Sequence, residues 1–452
     1  MSAPLSLAKA FRLNNAASPK IAFVGAGGKS TALFRLAREL APCIVTTTTH
    51  LGTWQAAAAD KHLILHREKF RKKSTELLDY TQKSNVILIT GEEKDQRLGS
   101  LSPENLHQLE KFCTAHALPL LIEADGARKN PLKAPKADEP VVPDFVDLVV
   151  VVAGLSELGK KLNKEAVYNA EKFAELGKMK AGDEISPDNL TRVLAHEDGG
   201  LKNIPTKARK VALLTQADTP KRQAIGKKIA EKLLDAFDSV IVTTFQPSNL
   251  QTSNPANLQI FEPASAILLA AGASSRFGAS KQLLDYHGTP FVRTVAEKAL
   301  QADLSLVVVT GAEDAQIRQL LADLPLKIIY NPDWREGQSA TIRAGVEQLP
   351  PRIGSAIFLL ADQPQVTPSV MRALITEHRQ TLNPVIAPLV DGKRATPVLF
   401  DRVTFPALLK LRGDTGGRGI FAEFPPSYLH WSDTSLLLDV DNREDYKRLL
   451  NL

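Results

Sequence analysis

The chain has 452 residues, of which 44% are hydrophobic and 23% charged, and its formal net charge is +6. This length exceeds one ordinary hydrophobic core, so we expect two or three domains of globular composition. The mild positive charge fits either a soluble, lysine-rich surface or an attraction for anionic small molecules such as nucleotides. We expect no nucleic-acid partner, because no basic stripe is interleaved with aromatic residues.

The cellular location is constrained by what the sequence lacks. No apolar run approaches the roughly 20 residues that span a bilayer. The first residues lack the apolar segment of a secretory signal. Cys43 and Cys113 are too few for a disulfide framework or a cysteine zinc site. We therefore expect a cytoplasmic protein with no membrane partner.

Two loops rich in small residues, near residues 25 and 272, each follow an apolar strand directly. Residues 244–263 are rich in Asn, Ser, Thr, Gln and Pro, a composition typical of a linker. We therefore predict an N-terminal domain over residues 1–258 and a C-terminal domain over residues 262–452.

Short apolar runs alternate with helical patterns through both domains. This alternation predicts an α/β fold class with two doubly wound, mostly parallel sheets. Ligands of such sheets bind beyond the carboxyl ends of the strands, where both loops lie. The predicted strands cover residues 20–24, 44–48, 86–90, 120–123, 148–152, 211–215 and 239–243, and then 266–270, 306–310, 326–330, 356–360 and 384–388.

The first loop reads Gly-Ala-Gly-Gly-Lys-Ser-Thr between a predicted strand and a predicted helix. The backbone at Gly25 and Gly28 and the N-terminus of the helix suit a phosphate. Lys29 suits the β- and γ-phosphate oxygens, and Ser30, followed by Thr31, suits Mg²⁺. The alternative is a glycine turn that binds nothing.

This loop is shorter than the standard P-loop, because Phe23 stands where that motif has its first glycine. It is similar to the loop of Mur-type ligases. Two acids, Glu123 and Asp125, end another predicted strand. We assign Asp125 to the nucleotide site, with Glu123 as the other candidate. The non-binding alternative is a turn carboxylate paired with Arg128.

The N-terminal half resembles the YqeC-like family of selenium-dependent molybdenum hydroxylase accessory proteins. The likeness covers about residues 15–245 and lies in GAGGKST (25–31), TTTTH (46–50), EADGAR (123–128) and residues 131–140. The loop predicts a P-loop-like domain that binds ATP or GTP. The resemblance implies a maturation role, with an apo molybdenum hydroxylase as partner.

The second loop, residues 268–282, holds Gly272, Arg276 and Lys281. Small residues let backbone N–H groups close around a phosphate. The two cations add positive charge where a triphosphate would lie. The P-loop spacing is absent, which separates this half from P-loop NTPases. The alternative is a tight turn with a solvated arginine and lysine.

Two acidic positions in the C-terminal half are candidates for one metal site. Asp362 ends a predicted buried strand, and Asp441 leaves a late strand just before a helix. Mg²⁺ favours carboxylate oxygen and bridges phosphates, so two carboxylates from distant segments suit it. The alternative for Asp362 is a helix cap or a turn before Pro364.

Residues 266–452 resemble the MobA-like nucleotidyltransferase family, and most closely its molybdenum-cofactor cytidylyltransferase branch. The resemblance implies the nucleotide-diphospho-sugar-transferase type of fold and transfer of NMP from an NTP to an acceptor. The matching segments are LAAGASSRFGASKQLL (269–284), GTP (288–290), Asn331, GQS (337–339), LLADQP (359–364), TPV (396–398) and LDVDNREDY (438–446).

By this resemblance, the nucleotide base and phosphates would lie against the segment Leu269, Ala270, Ala271 and Gly272. Asn331 and Ser339 would belong to a loop that lines the nucleotide.

The same resemblance implies the charged groups of the reaction. Arg276 would grip the β- and γ-phosphates, and Lys281 the α-phosphate. Asp362 and Asp441 would hold Mg²⁺.

The reaction implied is the Mg²⁺-dependent transfer of CMP from CTP to the terminal phosphate of molybdopterin, with release of pyrophosphate. Two alternatives stay open. One is a nucleotidyltransferase that uses GTP or another NTP, or a sugar or alditol phosphate as acceptor. The other is a non-catalytic carrier or chaperone that delivers finished cofactor to a molybdenum hydroxylase.

Overall fold

The structure is a computed structural model that describes residues 5–13, 18–65, 70, 74–83, 85–126, 130–245, 257–273 and 280–452. The chain forms two compact units, residues 1–261 and 262–452. Across the described ranges, no helix combines the length and the apolar character that crossing a bilayer requires.

The N-terminal unit is built from strands that alternate with helices. Its strands are β1 (Lys20–Gly25), β2 (Cys43–Thr47), β3 (His50–Gly52), β4 (Lys61–Ile64), β5 (Val86–Thr90), β6 (Glu93–Lys94), β7 (Arg97–Gly99), β8 (Leu120–Glu123), β9 (Leu132–Lys133), β10 (Leu148–Gly154), β11 (Val167–Tyr168), β12 (Arg209–Thr215), β13 (Ser239–Thr244) and β14 (Asn257–Phe261). Its helices are α1 (Leu7–Ala10), α2 (Lys29–Glu39), α3 (Ser74–Lys83), α4 (Pro103–Ala115), α5 (Ala170–Gly177), α6 (Pro187–Ala195) and α7 (Pro220–Leu233).

The main sheet of this unit has the order β14-β13-β12-β10-β1-β8-β2-β5-β4, and only β14 runs antiparallel to its neighbour among these strands. Every residue of β2, β5, β8 and β10 is buried. Such continuous burial is typical of parallel strands covered on both faces. The strand order places the carboxyl ends of β1, β8 and β2 side by side.

Local sequence signals explain where several helices begin. In α4, α6 and α7 a serine or threonine cap precedes a proline at the first helical position, and the cap oxygen accepts a hydrogen bond from the third residue of the helix. Proline fits this position because its missing N–H would have no partner there.

The C-terminal unit has its own sheet and helices. Its strands are β15 (Ala264–Ala270), β16 (Asp285–Tyr286), β17 (Thr289–Pro290), β18 (Ser305–Thr310), β19 (Lys327–Tyr330), β20 (Ser355–Leu360), β21 (Val385–Val390), β22 (Lys393–Arg394), β23 (Val398–Asp401) and β24 (Ser427–His430). Its helices are α8 (Phe291–Gln301), α9 (Asp314–Leu320), α10 (Gln338–Glu347), α11 (Pro368–Thr381), α12 (Phe405–Leu408) and α13 (Arg443–Leu450).

This second sheet is mixed. Its order is β19-β18-β15-β20-β23-β21-β22, with β24 beside β21. The first four strands are parallel, whereas β23 runs antiparallel to both β20 and β21. The prediction of a mostly parallel sheet therefore holds for the N-terminal unit and only for one half of the second sheet. The second half of this sheet is antiparallel because the chain reverses direction in a hairpin after β21, where Asp391 and Gly392 form the turn.

The strands predicted from the sequence are all present, and their ends agree within two residues. The α/β class is thus confirmed. The additional strands are short or lie at sheet edges.

Candidate functional sites

The first site lies at the carboxyl edge of the N-terminal sheet. Strand β1 leads into the glycine loop, and helix α2 begins at Lys29. The neighbouring strand β8 ends at Glu123, two residues before Asp125. Because β1 and β8 are parallel neighbours, the loop and both acids lie at the same edge of the sheet.

Lys29 is buried, with 4% of its surface exposed, and its charge is matched by both acids. Its ammonium donates to the side chain and the carbonyl oxygen of Asp125, and lies 3.6 Å from Glu123 Oε1. Burial lowers the pKa of Lys29, but the two carboxylates outweigh burial and raise it above its ordinary value. Lys29 therefore stays protonated in a buried position.

Glu123 contacts the serine of the loop. Ser30 Oγ donates to Glu123 Oε2 at 3.0 Å, and Gln55 Nε2 donates to Ser30 Oγ at 2.6 Å. Burial raises the pKa of Glu123, more than the charge of Lys29 lowers it. The carboxylate beside the serine hydroxyl is therefore Glu123, the second of the two acids considered from the sequence. Thr31 is half-buried in the first turn of α2.

Asp125, the acid assigned from the sequence, is engaged mainly with cations and backbone. Its Oδ2 accepts from the backbone N–H of Gly25 at 3.0 Å and lies 2.9 Å from Nζ of Lys133. Lys133 also lies 2.8 Å from Glu139 Oε2, and only 1% of its side chain is exposed. Asp125 thus joins two buried lysines. Sequence reasoning missed Lys133, because a lone lysine after a loop carries no local signal of burial.

The second site lies in the C-terminal unit, beyond the adjacent parallel strands β15 and β20. Leu269, Ala270 and Ala271 are buried, and Gly272 is exposed. Among the described residues, no atom lies within 4 Å of a Cβ added at Gly272, so this part of the edge leaves the backbone accessible to a ligand. Arg276, predicted to bind the triphosphate, lies outside the described residues.

Three of the predicted charged residues come together at this edge. Lys281 Nζ lies 2.9 Å from Asp441 Oδ1, with 12% of the lysine side chain exposed. Burial raises the pKa of Asp362, the charge of Lys281 lowers it, and the carboxylates of Asp439 and Asp441 raise it, with a net increase. Asp362, Asp441 and Lys281 are therefore close enough to interact electrostatically, although 160 positions separate Lys281 from Asp441.

A hydrogen-bonded chain fixes the late acidic segment beside Asp362. Gln363 Nε2 donates to Asp439 Oδ1 at 3.0 Å, and Gln365 Nε2 donates to the carbonyl oxygen of Leu438 at 2.7 Å. Thr396 Oγ1 donates to Gln363 Oε1. The two glutamines of the Asp-Gln-Pro-Gln sequence therefore tie residues 438–441 to the end of β20. Sequence reasoning did not foresee this, since glutamine has no fixed partner.

Asn331 and Ser339 are buried, with 3% and 0% exposed. Asn331 Oδ1 accepts from the backbone N–H of Asp333 at 3.0 Å, and Ser339 Oγ donates to the carbonyl oxygen of Gly413 at 2.6 Å. Both side chains are thus hydrogen-bonded within the protein. Ser339 anchors the glycine-rich segment after Leu411 to the start of α10. Their contact with a nucleotide stays a prediction.

Comparison with known proteins matches the two halves of the chain to two different families. Residues 266–428 match the MobA-like NTP transferase domain, and residues 21–171 match the YqeC protein family. The C-terminal unit is therefore a nucleotidyltransferase of the MobA-like type. YqeC of Escherichia coli (strain K12) is 30% identical over 200 residues, which are 42% of this chain and 73% of that protein. The chain belongs to the YqeC family through its N-terminal unit, and carries the MobA-like domain in its C-terminal unit.

Two further relatives match single units. The molybdenum cofactor cytidylyltransferase of Escherichia coli (strain K12) is 23% identical over 181 residues, 40% of this chain and 92% of that protein. The crystal structure of Rv0371c from Mycobacterium tuberculosis H37Rv has a TM-score of 0.38 and 27% identity, and covers 42% of this chain and 98% of its own.

Proposed function

We propose that the C-terminal unit transfers CMP from CTP to the terminal phosphate of molybdopterin, with Mg²⁺ as the metal. A phosphate oxygen of the acceptor attacks the α-phosphorus of CTP, the bond to the β-phosphate oxygen breaks, and pyrophosphate leaves. The protein then has little covalent work, and positioning and charge neutralisation supply most of the catalysis. The observation that carries this proposal is the contact of Lys281 Nζ with Asp441 Oδ1 at 2.9 Å, since the charges of both residues also act on Asp362 at the end of β20.

The donor set fits Mg²⁺. Burial and the negative charges of Asp439 and Asp441 raise the pKa of Asp362, and a cation beside Asp362 would favour its ionised form. Mg²⁺ is commonly held by one or two carboxylates together with substrate phosphates and water. In this proposal Asp362 and Asp441 hold the ion, which would neutralise charge on the triphosphate. Lys281 binds the α-phosphate, and Arg276 binds the β- and γ-phosphates.

The substrate assignment is supported by the matching sequence segments and by the cytidylyltransferase relative. It is tested by measuring pyrophosphate release with each of the four NTPs, with and without molybdopterin. We expect release that requires both CTP and molybdopterin. Release with GTP, or with a sugar or alditol phosphate as acceptor, would replace this substrate pair by the alternative one. A protein that binds the cofactor and releases no pyrophosphate would be a carrier.

The metal assignment has a separate test. Asp362→Asn is expected to lower the rate at least about 100-fold, because the negative charge that faces the metal is lost. Asp303→Asn is the matched control, since Asp303 is an exposed turn residue in the same unit. Full activity of Asp362→Asn would contradict the assignment.

We propose that the N-terminal unit is a P-loop-like accessory domain that binds ATP or GTP. The support is the loop Gly25 to Gly28 at the start of α2, with a protonated Lys29 and the paired Ser30 and Glu123. Phosphates bind the loop, Lys29 and the first-turn N–H groups, including that of Thr31.

The carboxylate pattern assigns different tasks to the two acids in this proposal. Ser30 and Glu123 form an oxygen pair suited to Mg²⁺, and Asp125 orients Lys29 and Lys133. Calorimetric titration with Mg·ATP and Mg·GTP tests the domain. Lys29→Ala is expected to abolish binding, whereas Lys164→Ala, at a lysine whose side chain is 84% exposed, leaves it unchanged. Equal binding by both variants would refute the site.

Together the two activities describe a cytoplasmic maturation factor whose partner is an apo molybdenum hydroxylase. The experiment is reconstitution of a purified apo-hydroxylase with this protein, CTP and molybdopterin. We expect hydroxylase activity that depends on the full chain. Equal activation by preformed dinucleotide cofactor without this protein would remove the hydroxylase from its partners.

A further inference from the structure

We propose that Lys133 is a positioning residue of the N-terminal site, and that it keeps the charge of Asp125 paired when Lys29 turns to bind a phosphate. This inference rests on the proposed phosphate site at residues 25–31. It adds the exchange of ion partners that phosphate binding requires, and it assigns a task to a lysine outside the loop.

The ammonium of Lys29 is fully occupied by the acids of the site. It donates to the side chain and to the carbonyl oxygen of Asp125, and it lies 3.6 Å from Glu123 Oε1. These are three oxygen neighbours for the three hydrogens of an ammonium group. Only 4% of Lys29 is exposed, whereas Gly28 and Ser30 beside it are half-buried. A phosphate on the loop must therefore draw the ammonium away from at least one carboxylate.

Both acids keep other partners when Lys29 leaves them. Glu123 Oε2 accepts from Ser30 Oγ at 3.0 Å and lies 3.4 Å from Gln55 Nε2. Asp125 Oδ2 accepts from the backbone N–H of Gly25 at 3.0 Å and lies 2.9 Å from the ammonium of Lys133. Lys29 binds the other oxygen of Asp125, Oδ1. The two lysines therefore occupy different oxygens of one carboxylate, and Lys29 can depart without disturbing Lys133.

Lys133 has no hydrogen left to offer a phosphate. Besides Asp125, its ammonium lies 2.8 Å from Glu139 Oε2 and donates to the carbonyl oxygen of Gly126 at 2.5 Å. Only 1% of its side chain is exposed, and its ammonium lies 4.9 Å from the centre of the Tyr168 ring. Its three hydrogens thus have three oxygen partners. Lys133 acts through Asp125 and has no direct contact with the ligand in this proposal.

The backbone around Lys133 is anchored independently of the loop lysine. Lys133 lies in β9, which pairs with β11. The carbonyl oxygen of Pro131 accepts from the backbone N–H of Gly154, at the end of β10, at 3.0 Å. A cation on a fixed segment keeps its place while a neighbouring side chain moves.

Loss of Lys133 would change the balance between phosphate and Asp125. Asp125 is 2% exposed, and a buried carboxylate without a cation is costly. In Lys133→Met, the cation left for Asp125 is Lys29. The ligand then has to compete with Asp125 for that lysine, so phosphate binding should weaken.

Calorimetry on the full-length protein measures this competition. The ligands are Mg·ATP and Mg·tripolyphosphate, a probe without a base, and the part of the binding that Lys29→Ala removes reports the N-terminal site. Lys133→Met is expected to raise both Kd values at least about tenfold. Lys136→Met is the matched control and should change neither, because Lys136 is an exposed lysine of the same segment whose ammonium also lies over the Tyr168 ring, at 5.4 Å.

A double-mutant cycle with Asp125→Asn separates this task from a structural one. Asp125→Asn removes the charge that holds Lys29 back, so it should lower both Kd values. In the Asp125→Asn background, Lys133→Met should change Kd less than about twofold, because no carboxylate at position 125 then needs a cation. An equal loss of affinity in both backgrounds would make Lys133 a structural residue and overturn the inference. Circular dichroism checks folding. If Lys133→Met alone does not fold, a raised Kd in Asp125→Asn contradicts the inference.

A crystal structure of the full chain with Mg·ATP tests the exchange directly. We expect Lys29 Nζ within hydrogen-bond distance of a phosphate oxygen and released from Asp125 Oδ1, with Lys133 still on Oδ2. Lys29 keeping both of its contacts with Asp125 would overturn the inference and leave the phosphate site standing. If Lys29→Ala changes no binding of either ligand, the proposed phosphate site fails as well.

Discussion

Substitution of alanine for glycine in the first site gives a graded test of the loop geometry. Gly25 has φ +91°, and an added Cβ would lie within 3.0 Å of the carbonyl oxygen of Val152. Gly28 has φ +107°, but the nearest atom to an added Cβ belongs to Thr215, at 3.7 Å. At Gly126, no atom of the described residues lies within 4 Å of an added Cβ, and its φ lies outside the left-handed range. The three positions separate backbone strain from steric clash.

The expected destabilisation follows from these differences. A left-handed backbone costs a non-glycine residue about 1–3 kcal/mol, which applies to Gly25 and Gly28. Overpacking adds about 1–3 kcal/mol at Gly25, because the opposing oxygen belongs to the central strand β10 and cannot move away. We expect a loss of about 2–6 kcal/mol for Gly25→Ala, about 1–3 kcal/mol for Gly28→Ala, and less than about 0.5 kcal/mol for Gly126→Ala.

Hydrogen exchange of the backbone amides in β1 is the suitable assay. These amides are buried in the middle of the sheet, so their exchange reports the free energy of opening the N-terminal unit alone. Equal effects at Gly25 and Gly28 would refute the close approach to β10. An alanine at position 28 that costs nothing would refute the left-handed backbone there.

The remaining predictions concern charge and burial. Lys133→Met leaves Glu139 without its buried cation and Asp125 with Lys29 alone, so urea unfolding should show a loss of about 3–5 kcal/mol in the free energy of unfolding, and an unchanged midpoint would refute the ion network. The Mg²⁺-dependent rate should fall as pH falls through the raised pKa of Asp362, hence at higher pH than for an ordinary aspartate. Asp439→Asn removes one of the like charges that raise this pKa, so the acid limb of the pH–rate profile should move to lower pH, and a shift upward would contradict the reasoning. Cys43 and Cys113 should react with a thiol reagent only after unfolding, because burial raises the pKa of both thiols, that of Cys113 to about 12. Rapid labelling of the native protein would show that they are accessible.

The positions of the central strands could be predicted from consecutive residues alone. Runs of β-branched residues predicted the ends of the central strands to within two residues, because a buried parallel strand requires a continuous run of such apolar side chains. Short edge strands such as β6 and β22 have too few residues to show such a pattern. The prediction of a mostly parallel second sheet overlooked the turn at Asp391 and Gly392, although an Asp-Gly pair favours a two-residue hairpin turn. The strand that follows this hairpin, β23, runs antiparallel to β20 and β21.

Which charged groups contact one another depends on how the strands are arranged in space. Ser30 and Glu123 are 93 positions apart, and only the order of strands in the sheet makes them neighbours. Both acids were candidates from the sequence, yet Glu123 contacts the serine while Asp125 joins Lys29 to Lys133. Side chains on adjacent parallel strands meet at one edge only when the register is set, and register depends on packing across the whole sheet. The sequence therefore indicated which residue types belong to each site, but not which residue each of them contacts.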